Sequence, residues 1–324
     1  MVNHVEEWSN FKTTFGKTYT VEEEATRFET FMANLKLIED ENRAQGKAVK
    51  GITKFMDMTP EEFKAVHLKK FAAPMSEKLS KWDGTCTSCV RYPQMAQLLK
   101  DPPAAFDWTE HGAVTPVKDQ GQCGSCWSFG TTGDIEGVWF LANNSLTSLS
   151  EQQLVSCDTQ DSGCNGGLQE TAFNYVIRYG LTTESNYPYT SGSGRVATCD
   201  STKVSDMAAR ISDWVQVSKK ALGKSPDEGA ILTALLASGP ITIGIDASPM
   251  QFYRGGVDSP QKCGDSQLSL DHAVTIVGYG NEGGVDYWKI KNSWNTDWGE
   301  QGYYRIVRGE NKCGVASDAV HSVA

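Results

Sequence analysis

The sequence predicts an α+β body, with a helical half and a mostly β half enclosing a cleft, preceded by a separate helical segment. Three observations carry that prediction. Residues 4–43 hold a stripe at helical spacing, residues from about 72 to 101 are rich in chain breakers, and the pattern beyond about residue 205 turns strand-like. A length of 324 residues suits about two domains.

At the start of the chain, Trp8, Phe11 and Phe15 share one helical face. Glu23, Arg27, Phe31, Asn34, Ile38 and Asn42 follow at intervals of 4, 4, 3, 4 and 4, which places all six in one stripe along a longer helix. Gly46 helps to end it. The stretch from Gly51 to Asp57 is expected to be a short strand, and Thr59 with Pro60 to open a third helix. Pro74, Ser76, Ser80, Gly84, Pro93, Pro102 and Pro103 then mark an extended, exposed linker and the domain boundary. Beyond it, residues 126–142 and 168–179 are expected to be helices, the second stopped by Gly180. A capping box at Ser150-Glu151-Gln152-Gln153 opens a short helix between them. Strands are expected at 241–245, 272–277, 286–290 and 302–307, with a helix at about 228–237 capped by Asp227. The division is therefore 1–101 and 102–324, the latter with a helical lobe at about 108–210 and a β lobe at about 211–310.

Charge is uneven. Residues 1–101 contain 15 Lys+Arg and 15 Asp+Glu, so the whole net charge of −10 falls on residues 102–324. Such an acidic body argues against nucleic-acid binding, which needs a basic face. No run of about 18 apolar residues exists, so no membrane span is expected. The first residues carry no apolar signal-peptide core, which fits an intracellular protein or one whose signal has been removed.

Of nine cysteines, seven fall at 123, 126, 157, 164, 199, 263 and 313. Six paired and one free is the arithmetic of an oxidised protein with a reactive thiol, although six cysteines allow 15 connectivities. Cys126 stands out, at the start of a helix behind the glycine turns of Gln120-Gly121-Gln122-Cys123-Gly124-Ser125. A helix N-terminus favours thiolate over thiol. A nucleophile needs a base, and His272 leads an apolar strand, whereas His111 lies in a polar turn and His321 near the C-terminus. Asn292, in Lys291-Asn292-Ser293-Trp294, could hold an imidazole and fix its tautomer, with neighbouring tryptophans shielding the bond.

Taken together, Gln120, Cys123-Gly124-Ser125-Cys126-Trp127, Cys164-Asn165-Gly166-Gly167, Asp271-His272-Ala273 and Asn292-Ser293-Trp294 resemble the papain-like cysteine proteases, especially the cathepsin L branch. The stripe from Glu23 to Asn42 resembles that branch's propeptide helix, and Gly51, Phe55 and Asp57 a second propeptide motif in which Thr53 replaces an asparagine. The resemblance implies a papain-like two-lobed fold behind a helical inhibitory prodomain, hence a zymogen. It implies Cys126 as nucleophile paired with His272, Asn292 as the orienting group, and the Gln120 amide with the Cys126 N–H as oxyanion hole. In papain the pairing lowers the thiol from ~8.5 to ~3–4, a magnitude taken over with the resemblance. The same likeness implies disulfides Cys123–Cys164, Cys157–Cys199 and Cys263–Cys313, no metal and no cofactor.

For substrates, the resemblance implies polypeptides held along Gly166 and Gly167, with Asp271 and Trp294 bordering the cleft. Leu168, Gly244 and Leu270 would line the pocket for the second residue before the scissile bond. Asp318, five past Cys313, would form its floor, so that bulky apolar residues and also arginine are accepted. The prosegment would be the intramolecular inhibitor, lying in the cleft opposite to substrate direction and released near Lys100 to Pro103 at low pH. A monomer is expected, in a lysosome- or vacuole-like acidic compartment or secreted. Cys86-Thr87-Ser88-Cys89 lies outside the resemblance; a local disulfide is favoured over a redox latch or half a zinc site. Asn143-Asn144-Ser145 is a glycosylation acceptor. Competing classes are a redox CxxC module, which lacks the βαβ surroundings, an inactive binding homologue, and a peptide ligase using the same thioester.

Overall fold

Reciprocal caps open two of the three N-terminal helices of this computed structural model, which describes residues 4–70, 83–86, 88–219 and 225–324. Helix α1 spans His4–Phe15 and α2 spans Val21–Gln45. The Thr20 hydroxyl accepts from the Glu23 N–H while the Glu23 carboxylate accepts from the Thr20 N–H. Gly46 closes α2 at φ 66°, in the left-handed region where a side chain would be strained. Helix α3, Pro60–His67, repeats the box through Thr59 and Glu62. Trp8, Phe11, Phe31, Ile38 and Met56 form a small apolar core, completed by Phe252 from the body.

The stretch Gly51–Asp57 is not the expected strand. Lys50 makes a single bridge with Tyr253, after which the chain turns, with N–H···O bonds from Met56 to Thr53 and from Met58 to Phe55. Asn34 on α2 donates its amide protons to the carbonyls of Met56 and Met58. A side chain thus satisfies backbone groups that a neighbouring strand would have taken. The expected linker also differs. Residues 71–82 and 87 lie outside the described residues, but the rest is folded into α4, Ser88–Arg91, and α5, Met95–Leu98. Met95 is buried, and the Ser88 hydroxyl donates to the Leu236 carbonyl at 2.7 Å.

The body begins with β1, Phe106–Asp107, followed by α6, Cys126–Asn143, α7, Glu151–Cys157, α8, Gln169–Tyr179, and α9, Ser201–Val204. Then come β2, Asp213–Lys219, α10, Glu228–Ser238, β3, Ile241–Ile245, β4, His272–Glu282, β5, Val285–Lys291, β6, Tyr303–Val307, and β7, Asp318–Val323. The strands form one antiparallel sheet in the order β2-β7-β3-β4-β5-β6, with β1 beside β4. Helix α6 packs against β3 and β4 closely enough that a Cβ on Gly130 or Gly133 would meet the hydroxyls of Thr242 or Thr275 at 2.6 Å. Glycine is therefore required where the thiol's helix meets the histidine's strand.

Three features of the body depart from expectation. Strands β2 and β7 were not expected, and β7 carries the β half past residue 310 to Val323. Asp318 to Ser322 are all buried, so the alternation that identifies a half-exposed strand is missing. The Ser150 box is one-sided: its hydroxyl accepts from the Gln153 N–H, but the Gln153 side chain instead joins the Gly180 carbonyl and the Thr182 N–H.

Candidate active site

Cys126 occupies the first turn of α6 and is buried. It is the free cysteine among the described residues, since Cys123–Cys164, Cys157–Cys199, Cys263–Cys313 and Cys86–Cys89 are disulfides. The backbone N–H of Ala273, the residue after His272, donates toward its sulfur. The preceding loop is fixed from the other lobe. The Gln120 N–H donates to the Ser293 carbonyl and the Asn295 N–H to the Lys118 carbonyl, in a bridge between Asp119 and Trp294. The buried Gln120 amide donates to the Cys123 carbonyl at 2.9 Å and accepts from the Ser293 hydroxyl at 2.7 Å.

His272 opens β4 and is fully buried. Its Nε2–H donates to Asn292 Oδ1 at 2.8 Å, which fixes the tautomer and leaves the buried Nδ1 without a hydrogen bond. Trp294 lies over the imidazole, with ring centroids 4.7 Å apart and planes 27° from parallel. The same indole meets Phe55 at 5.5 Å, Phe63 at 5.3 Å and Trp298 at 4.9 Å, each ring nearly perpendicular to it. Two prosegment aromatic rings thus stand on the tryptophan that covers the histidine.

The chain after α3 runs between Asp271 on one side of the site and Gly124 and Gly166 on the other. The Lys69 N–H donates to the Asp271 carbonyl at 2.8 Å, and a Cβ on Gly166 would come within 3.2 Å of Lys69 Cβ. Under this cover, burial pushes the Cys126 thiol up to about 12, with Asp271 adding to the rise. Burial also holds the His272 imidazole down at about 4. A neutral thiol and a neutral imidazole are the forms this covered site favours.

The papain family cysteine protease pattern matches residues 102–323, and the cathepsin propeptide inhibitor domain pattern matches residues 8–63. The chain belongs to the papain family of cysteine proteases. It is 43% identical over 321 residues to a cysteine proteinase of Trypanosoma brucei brucei, covering 96% of this chain and 66% of that one. It is 41% identical over 330 residues to cysteine proteinase 1 of Dictyostelium discoideum, covering 95% and 89%. The chain thus spans about two thirds of the length of the trypanosome relative. Among solved structures, digestive procathepsin L 3 of Tenebrio molitor larval midgut superposes with a TM-score of 0.83 at 35% identity, covering 100% of both chains.

In this papain-family chain the N-terminal inhibitor domain uses each residue of its helical stripe. Arg27 pairs with Glu62 at 2.8 Å and donates to the Asp57 carbonyl. Phe31 and Ile38 fill the small core, Asn34 holds the turn, and Asn42 grips Val49 and Lys50. Thr53 donates to the Gln251 carbonyl at 2.7 Å, so the departure from asparagine keeps a polar contact with the body.

Of the other expected site residues, Leu168, Leu270, Asp271 and Asp318 are buried. Leu168 immediately precedes α8, and Gly244 sits in β3 opposite Ala273. Gly167 lies so close to Trp127 and Asp161 that a Cβ would collide. Asp318 Oδ1 accepts from Gln216 Nε2 at 3.1 Å, and burial pushes its carboxyl up. Sequence reasoning missed Ser293, although it lies inside the quoted Asn292-Ser293-Trp294 run. It also missed Tyr189, which donates to the Gln120 carbonyl and meets the Ser125 hydroxyl at 2.8 Å; no local pattern marks that tyrosine. His321, set aside as terminal, is buried with Nδ1 2.9 Å from Asp134 Oδ2.

Proposed function

We propose that this chain is the zymogen of a cysteine endopeptidase, with Cys126 as nucleophile and His272 Nδ1 as its base. The observation that carries the reading is the buried 2.8 Å bond between His272 Nε2 and Asn292, which leaves Nδ1 for the thiol. Departure of the segment across the cleft admits water, removing the burial that keeps thiol and imidazole neutral. Proton transfer then yields a thiolate and an imidazolium, which stabilise one another. The thiolate attacks the scissile carbonyl, and the oxyanion takes the Cys126 N–H and the free amide proton of Gln120. The tetrahedral intermediate collapses to a thioester as His272 gives its proton to the leaving amine. Water, deprotonated by His272, hydrolyses the thioester.

Substrate would lie along Gly166 and Gly167, where Lys69 now runs. Leu168, Gly244 and Leu270 would wall the pocket for its second residue, with Asp318 as the floor, admitting bulky apolar residues and arginine. The inhibitory segment, residues 1–101, would be removed near Lys100 to Pro103, in an acidic organelle or after secretion, to leave a monomeric body of 102–324 with the lobes given above.

The test is turnover of a Phe-Arg fluorogenic peptide by acid-treated protein, with and without reducing agent, beside Cys126→Ala. Turnover that survives Cys126→Ala would overturn the reading. For the pocket, dipeptide substrates with Arg or Leu at the second position are compared before and after Asp318→Ala; Arg cleavage that is absent or unchanged rejects Asp318 as the floor.

A further inference from the structure

Lys54 reaches Asp119 and Asp297 of the body in partly exposed ion pairs, but a second prosegment lysine makes a pair that is sealed. The side chains of Lys50 and Asp258 are both 0% exposed, with Nζ 2.5 Å from Asp258 Oδ2. The ammonium also donates to the Pro249 carbonyl at 2.6 Å, and the Tyr304 hydroxyl donates to the same Asp258 oxygen at 2.9 Å. Asp258 Oδ1 has no hydrogen-bond partner. Glu41 is the nearby prosegment acid, pushed up by its own burial and by Asp258 and drawn down by Lys50 and Lys262.

The lysine is delivered to this place by backbone pairing. Asn42 accepts from the N–H groups of Val49 and Lys50 and donates to the Lys50 carbonyl. The Val49 carbonyl accepts from the N–H groups of Arg254 and Gly255, and the Gly51 N–H donates to the Phe252 carbonyl. Lys50 therefore enters the body from a fixed point on an edge-like contact. The carboxylate it meets belongs to the body and is itself anchored, its N–H donating to Arg305 and its carbonyl accepting from Val307.

We propose that the catalytic body carries a closed pit for a primary ammonium on a long alkyl stem, lined by Asp258, Tyr304 and the Pro249 carbonyl, with Lys50 as its resident ligand. It rests on the inhibitory reading of the prosegment and concerns a site separate from the thiol. The pit selects lysine by exclusion as well as attraction. An apolar side chain would leave Asp258 buried without a counter-charge. When the prosegment departs, the pit is vacated with Asp258 still held by Tyr304, ready for the lysine of a returning prosegment.

Docking is read in the Cys126→Ala chain, where no self-cleavage intervenes, by hydrogen exchange at the amides of Gly51, Arg254 and Gly255. Lys50→Ala is expected to speed that exchange by about tenfold or more, because one partner of a buried pair is lost. Millimolar n-butylammonium should restore slow exchange, whereas n-butanol should not, and Lys50→Ala with Asp258→Asn should show no rescue. Wild-type exchange in Lys50→Ala, or equal rescue by butanol, overturns the pit. Lys50→Met keeps the stem and guards against misfolding: it too should exchange faster, and a wild-type rate in it overturns the proposal. Failure of the protease reading would appear separately, as absent peptide turnover with this exchange pattern intact.

Discussion

Four buried carboxyls of the body and the buried histidine of the prosegment answer acid in opposite senses. Inside the body, burial pushes up the carboxyls of Asp161, Glu170 and Glu184, and that of Asp271 to about 7. A carboxyl whose folded value is raised contributes stability that is full below its unfolded value and is lost as pH rises through the folded value. These groups therefore favour the folded body in acid. At the interface Glu41 is raised like them, but His67 carries the reverse sign. His67, packed against Phe55, Phe63 and Trp294, is held down at about 4, first by burial and then by Lys54, with Lys17 adding to it and Asp119 and Gly121 opposing. Its contribution to docking is full above about 6.5 and is lost as pH falls toward about 4. Glu62, held down by its bond to Thr59 and by Arg27, acts in the same direction as His67. Acid thus loosens the contact around His67 while these buried carboxyls favour the folded body.

The largest effect expected lies in the body. Gln120→Ala removes the donor proposed for the oxyanion and should lower kcat by about 10²–10³ at every pH, with the processing pH of added active enzyme unchanged. A loss confined to KM would remove Gln120 from that role. Next comes the sensor: His67→Phe keeps an aromatic ring but cannot charge, removing roughly 3 kcal/mol of acid-driven release. Its prosegment should hold to lower pH, seen as a downward shift in the midpoint of thiol labelling, and an unmoved midpoint would mean that His67 does not report pH.

A smaller change of opposite sign is expected from Arg27→Met, which breaks the bond to Glu62 and frees the Asp57 carbonyl. The loss of about 2 kcal/mol should raise the pH at which the thiol becomes accessible. The smallest effect concerns Asp271, tested in the Cys126→Ala chain so that the cleft stays covered. Its titration should destabilise that chain by roughly 1 kcal/mol between pH 6 and 8, a part of the slope that Asp271→Asn removes in urea unfolding while Asp161, Glu170 and Glu184 supply the rest. A parent chain with equal stability at both pH values would break the comparison on the body's side.

Much of this arrangement was legible where a local pattern sufficed. The caps at Thr59 and Asp227 and the helix-ending Gly46 lie where the sequence indicated, because a cap needs only neighbours within one turn. The stripe from Glu23 to Asn42 gave the helix face that meets the turn at Met56. What escaped notice depends on distant partners. Lys50 reads as surface charge until Asp258, 208 positions later, encloses it. His321 gains meaning from Asp134 across 187 positions. Gly51–Asp57 looked strand-like because its composition permits pairing, but Asn34 satisfies its carbonyls first. Strand β7 is buried at nearly every position, so it offered no period to detect.

Trp294 adds a constraint on how this chain can change over generations. One face of its indole covers His272, and Phe55 and Phe63 pack nearly perpendicular to the same ring. A substitution that let the enzyme escape its inhibitor at this point would also uncover the imidazole and expose its bond to Asn292. Latency and competence are therefore inherited through the same side chain, and a lineage cannot easily discard the first while keeping the second.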